Sequence, residues 1–140
     1  NVITYKITIS ALTSELKDSI YKDFSDHAIS TVGFNGLSEE PIVFEINDNI
    51  VNMGLCVCQL FWGNLHIKYL ITRKGYKGQV IGRGLIEHAL RYGKEQGCSF
   101  AFVETMNFQA PEFYQKLGFQ IELKRDGYAG GSSLYYLRKD

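Results

Sequence analysis

Apolar and polar residues alternate over residues 2–9 (Val2, Tyr5, Ile7, Ile9), a period of two that predicts a first strand. The period then lengthens. Leu12, Leu16, Ile20, Phe24 and His27 or Ala28 recur at helical spacing, so a helix is predicted over 14–29, capped by Ser10 or Thr13. Residues 33–41 read as a loop. Two apolar runs, 42–46 and 50–61, flank Asn47-Asp48-Asn49 and predict a hairpin; Trp62-Gly63-Asn64 is the next turn and 65–72 the next strand. The clearest helix is 82–96. Leu85, Ile86, Ala89, Leu90 and Gly93 fall on one face, Glu87, Arg91, Lys94 and Glu95 on the other, and Gly97 stops it. Residues 99–105 form a short apolar strand of the kind covered on both faces. Pro111 opens a short helix that ends at Gly118. Strands over 119–124 and 134–138 close the chain around a turn at 126–132.

The order β-α-β-β-β-α-β-α-β-β predicts a single α+β domain over 1–140, with helices packed on a mixed sheet and no internal repeat. Composition narrows the partners. The 140 residues are 45% apolar and 21% charged, as in soluble globular proteins, with 15 basic and 15 acidic side chains. Zero net charge gives no global pull toward nucleic acid or an anionic membrane. No apolar run nears the roughly 20 residues that span a bilayer. No secretory signal is expected at the N-terminus, and the absent initiator Met suggests a trimmed start. Cys56, Cys58 and Cys98 are few and odd in number. Cys56 and Cys58 share one strand face, where pairing with each other is geometrically poor and a zinc site lacks a second ligand pair. Buried reduced thiols are expected, which fits the cytoplasm.

Chemistry concentrates where the strand 65–72 runs through Arg73-Lys-Gly-Tyr-Lys-Gly-Gln-Val-Ile-Gly-Arg-Gly84 into the long helix. A glycine-rich turn opening a helix presents bare backbone N–H groups to a phosphate. Two registers fit. Gln79-x-x-Gly82-x-Gly84 matches Q-x-x-G-x-G literally; Lys77-Gly-Gln-Val-Ile-Gly82 matches in spacing, with Lys for Arg/Gln and Val80 for the first Gly. Glycines that merely permit tight packing explain such a pattern equally well. A Rossmann fingerprint fits less well, and no Gly-Lys-Ser/Thr follows to make a Walker loop.

In the second register the chain resembles the GNAT superfamily of acetyl-CoA-dependent N-acetyltransferases. The family carries R/Q-x-x-G-x-G/A at the head of a long helix, then a strand, then A-x-x-F/L-Y-x-K-x-G-F. Tyr76 to Cys98 aligns without a gap, and Ala110, Phe113, Tyr114, Lys116, Gly118 and Phe119 match the second signature. The likeness covers about 42–139 and implies a mostly antiparallel sheet of six to seven strands, flanked by helices and splayed between the fourth and fifth strands (65–72 and 99–105). Val80 departs from the pattern; its Cβ could narrow the cradle unless its N–H faces the phosphate and its side chain points away.

The resemblance implies roles. The backbone of Leu70, Ile71 and Thr72 pairs with the pantetheine arm of acetyl-CoA, the cosubstrate. Lys77, Gly78, Gln79, Val80, Ile81, Gly82 and Arg83 surround the pyrophosphate; Asn107 bonds pantetheine and Lys116 the CoA phosphates. Tyr114 protonates the departing thiolate, a task a phenol within hydrogen-bond reach can perform. The amine must lose a proton to attack, and His66 stands where several members carry a base; imidazole changes charge nearest neutral pH. Glu104 is the second candidate and Glu45 a weaker third, while His27 and His88 read as surface residues without partners. Transfer is direct in a ternary complex, with no acyl-cysteine and no metal, and a backbone N–H of 65–72 polarises the carbonyl.

Selectivity is assigned to 18–38, with Tyr21, Phe24, Phe34 and the acids Asp18, Asp23 and Asp26, followed by Glu39 and Glu40, and to 126–133. Those acids hint at a cationic small amine or a lysine, so a small-molecule or peptide amine is the expected partner. A homodimer is compatible with exposed edge strands. The competing reading, motivated by Val80, is a catalytically degenerate acyl-CoA-binding or sensor module.

Overall fold

The computed structural model describes residues 5–36, 40–76 and 78–140. They fall into two compact units, Asn1–Ser38 and Glu39–Asp140. In the first, helix α1 (Ser14–Val32) starts at Thr13, whose hydroxyl accepts from the Leu16 N–H at 3.2 Å. It runs past the expected end to Gly33, at φ 72°, where the left-handed conformation stops it. The strand expected over 2–9 is not formed in its described part: residues 5–13 carry no regular structure, and 1–4 lie outside the described residues. Alternation sets which side chains share a face, but a strand needs a neighbouring backbone to pair with.

The second unit is a six-stranded sheet built from β1 (Ile42–Asp48), β2 (Val51–Phe61), β3 (Asn64–Thr72), β4 (Ala101–Met106), β5 (Gln120–Tyr128) and β6 (Ser132–Lys139). Their order is β1-β2-β3-β4-β6-β5. All neighbours are antiparallel except β3 and β4, which are joined through helix α2 (Gln79–Glu95) and therefore run parallel. A short helix α3 (Pro111–Lys116) follows β4. The expected turn at 126–132 shrinks to a 3-10 turn over Ala129–Gly131, because β5 continues past an irregularity between Arg125 and Tyr128.

One face of the sheet carries the core. Cys56, Cys58, Leu65, Ile67, Ala101, Val103 and Leu137 pack against Leu85, Ile86 and Ala89 of α2, with Tyr114 and Phe119 in the same cluster. Cys56 and Cys58 are free and buried, sulfur to sulfur 3.6 Å; Cys98 is half-buried. The long helix ends as expected: Gln96 caps it, Gly97 turns at φ 83°, and the Cys98 N–H returns to the Gly93 carbonyl at 2.9 Å. His88 lies at the surface as expected but is not without partners: its ring stands edge-on to Phe44 at 4.8 Å and lies 3.3 Å from Arg91.

Gly54 in β2 has no room for a side chain. A Cβ there would stand 2.8 Å from the Ile71 carbonyl oxygen and 3.0 Å from Ile81 Cγ2. The first neighbour is backbone and cannot rotate away. Gly54→Ala is expected to destabilise the chain by about 1–3 kcal/mol, read as a lowered thermal midpoint. An unchanged midpoint would mean that β2 shifts without cost.

Candidate functional site

The site starts from an irregularity in β3. Tyr69 pairs with Val57 and Ile67 with Cys58, so Lys68 is an extra residue opposite no partner on β2. The bulge reverses the alternation: Leu65 and Ile67 face α2 before it, and Leu70 packs against Gly82 of α2 after it. Bulges also strengthen local twist. The parallel ladder between β3 and β4 holds only three pairs, Leu65↔Ala101, His66↔Phe102 and Ile67↔Val103. Beyond them the strands part, as expected for the fourth and fifth strands of the sequence pattern.

The opening is a cleft of about 570 Å³. Leu70, Ile71 and Thr72 form one wall, Val103, Glu104 and Thr105 the other, and Gly78 and Gly82 close the end at α2. Ala110, Phe113 and Tyr114 bring in α3. A Cβ on Gly82 would press on Phe113 at 3.2 Å, so this glycine lets α3 approach the head of α2.

α2 begins three residues before the sequence pattern suggested, at Gln79 rather than Gly82. The first-turn N–H groups, those of Gly78, Gln79, Val80 and Ile81, have no partner within the helix. No side chain caps this end and no acid stands in its first turn, so its partial positive charge is uncompensated. Val80 is 72% exposed. In a helix the N–H runs along the axis while the side chain leaves it sideways, so this Cβ does not cover its own amide. Gly78 sits at φ 120° and ψ 165°, a conformation side-chain-bearing residues rarely adopt. Gly78→Ala is expected to cost about 1–3 kcal/mol and to weaken anion binding at this helix end, measured by thermal melting and calorimetric titration. Arg83 and Lys116 line an adjoining depression between α2 and α3. Lys77 lies outside the described residues.

At the vertex of the splay His66 Nε2 and Glu104 Oε2 stand 2.7 Å apart, with the side chains 22% and 33% exposed. The two base candidates are thus one pair. Glu104 lines the cleft, while His66 sits behind it with its ring stacked on Phe102, centroids 4.5 Å apart. Glu45 is placed elsewhere, its carboxylate 3.4 Å from Asn52 Nδ2 at the end of the first hairpin.

Tyr114 is 6% exposed and meets Phe113 and Phe119 edge-on. Burial, and to a lesser degree the two cysteines, pushes its phenol above the ordinary tyrosine range. The group therefore keeps its proton at neutral pH and has an O–H to offer as a hydrogen-bond donor. Asn107 is engaged structurally: its Oδ1 accepts from the Ser133 N–H at 3.0 Å, and its own N–H donates to the Ser133 carbonyl at 2.9 Å. Gln109, which the sequence reading did not single out, accepts from the Met106 N–H at 2.9 Å and fastens the loop that leads into α3. Lys68 was also missed. Both required the bulge and the loop geometry, which leave no periodic signal.

A parallel splay facing a bare helix end, with an acid–base pair at its vertex, defines a mixed α+β group-transfer domain. The profile of the Acetyltransferase (GNAT) family matches residues 7–119, and the chain belongs to that family, whose members are acyltransferases. Acetyltransferase Atu2258 from Agrobacterium fabrum (strain C58 / ATCC 33970) is 30% identical over 126 residues, 90% of this chain and 91% of the relative. Blasticidin-S acetyltransferase from Streptomyces morookaense is 35% identical over 80 residues, 56% of this chain, and the chain spans only 59% of that relative's length. An acetyltransferase structure from Bacillus cereus ATCC 14579 superposes with a TM-score of 0.80 at 21% identity, over 95% of this chain and 96% of that one. A Bacillus anthracis str. Ames structure, described as a streptothricin acetyltransferase in complex with acetyl coenzyme A, superposes with a TM-score of 0.65 at 22% identity, over 71% and 62% of the two chains. These structural likenesses carry the fold.

Proposed function

We propose that residues 1–140 act as one N-acetyltransferase domain that transfers an acetyl group from acetyl-CoA to a primary amine of a small molecule or peptide, directly and within a ternary complex. The carrying observation is the end of the β3–β4 ladder at Ile67↔Val103, flanked by the His66–Glu104 pair and Tyr114. Family membership supports the reading, as do relatives named for acetyl transfer and a neighbour that holds acetyl coenzyme A.

The residues fit such a cosubstrate. Beyond Ile67, β3 has no partner on its β4 side, so Leu70, Ile71 and Thr72 offer an unpaired edge to an extended amide-bearing arm. The N–H groups of Gly78 to Ile81, with Gly82 and Arg83, suit a diphosphate, and Lys116 a further phosphate. Asn107 has only its amide N–H2 left to give. Bound there, acetyl-CoA supplies an activated thioester. Glu104 faces the cleft and takes the proton from the incoming amine, while His66 holds that carboxylate by their 2.7 Å contact. The Tyr114 phenol stays protonated and donates to the leaving sulfur.

Free thiols suit a reducing compartment such as the cytoplasm. Among the described residues no helix is long and apolar enough to cross a membrane.

Calorimetric titration of acetyl-CoA and of CoA into the chain tests the reading. Binding in the low-micromolar to submillimolar range, followed by turnover on a panel of amines, is the expected result. No binding at millimolar cosubstrate overturns it. Binding without turnover, with Tyr114→Phe indistinguishable from the parent, assigns the degenerate binding module instead.

A further inference from the structure

Two side chains of opposite charge line the cleft near its vertex without neutralising each other. Glu104 is engaged by His66 at 2.7 Å. The Lys68 ammonium donates to the neutral Gln59 Oε1 at 3.1 Å and, among the described residues, forms no ion pair. This cation is in place for a backbone reason. As the extra residue of the β3 bulge it is released from the alternation, and with Ile67 and Leu70 both turned to the core, Lys68 is left on the side of His66 and Glu104. Gln59, which holds it, is the β2 partner of His66.

The acids that hinted at a cationic acceptor lie on 18–40, whereas the groups that line the cleft tell a different story. A carboxylate suited to an amine and a lysine suited to an oxyanion stand in one concavity. We propose that the acceptor is a primary amine that also bears a carboxylate, its amine presented to Glu104 and its carboxylate to Lys68. A single ammonium matches one carboxylate, whereas a phosphate dianion calls for more positive charge. The inference rests on the acetyltransferase reading above and narrows its acceptor.

Matched acceptors test it: γ-aminobutyrate against butylamine, and L-lysine against cadaverine, each with acetyl-CoA and the full chain, following thiol release. The carboxylate-bearing member is expected to show the higher kcat/KM, by about 10- to 100-fold, the range of a hydrogen bond to a charged group. Lys68→Met is expected to collapse that ratio toward one through the KM of the carboxylate-bearing member. Lys68→Arg is expected to retain most of it. Equal or better turnover of the carboxylate-free amines by the parent chain overturns the inference, as does a Lys68→Met variant that lowers both members alike. Turnover of neither pair, with acetyl-CoA still bound in calorimetry, also overturns the acceptor class but leaves the cosubstrate site standing. Loss of acetyl-CoA binding itself would instead sink the acetyltransferase reading.

Discussion

Tyr114→Phe is expected to lower kcat by about 10²- to 10⁴-fold, the contribution of a positioned general acid, while changing CoA affinity little. The ring keeps its edge-on contacts with Phe113 and Phe119, at 5.2 and 5.5 Å between centroids, so packing survives the loss of one hydroxyl. What disappears is the only phenol of α3 in the cleft. Without a donor the thiolate departs unprotonated, which burdens the step in which charge develops rather than the binding of either substrate. The upward shift of this phenol adds a second expectation. Because burial holds it protonated beyond the ordinary tyrosine pKa near 10, kcat should not decline on the alkaline side through loss of the Tyr114 proton below about pH 10. A variant retaining kcat within about threefold of the parent (~0.7 kcal/mol) removes Tyr114 from the mechanism.

Glu104→Gln is the second large effect, expected at about 10²-fold or more in kcat/KM. The amide fills the same volume and can still bond His66, so the fold is retained; what it cannot do is accept the amine's proton. His66→Gln is expected to cost less, since it removes the partner and leaves the carboxylate in the cleft. Residues in contact are not additive. The double variant is therefore expected to be no slower than Glu104→Gln alone, in initial rates at saturating acetyl-CoA. Independent, multiplying losses would mean that His66 contributes by a route of its own. Full activity in Glu104→Gln would return the base role to His66 or to a water relay.

The long helix, the two hairpins around β2, and Gly97 and Gly118 as stops were legible because each depends on residues within one or two turns of the chain. The glycine-rich turn and the α3 signature were legible for a different reason: close approach of one element to another needs small residues at set spacings, as at Gly82 beside Phe113, and spacing survives in one dimension. Boundaries were less so. α2 starts at Gln79, and β5 runs on to Tyr128 through an irregularity that no composition rule announces.

Apart from the strand expected over 2–9, periodicity and glycine placement thus determined which of the described segments are helix and strand, which faces are apolar, and which glycine-rich turn opens a helix. Tertiary structure decided everything that couples distant segments. It joined His66 to Glu104, which lie 38 residues apart, and placed only the second in the cleft. It tied Asn107 and Gln109 into the frame of the α3 loop, and it used one extra residue in β3 to leave Lys68 on the side of Gln59 and His66. The physical reason is common to all four. A strand's neighbours, and the register at which a bulge interrupts them, are set by backbone pairing across the sheet, and that pairing leaves no period in the chain.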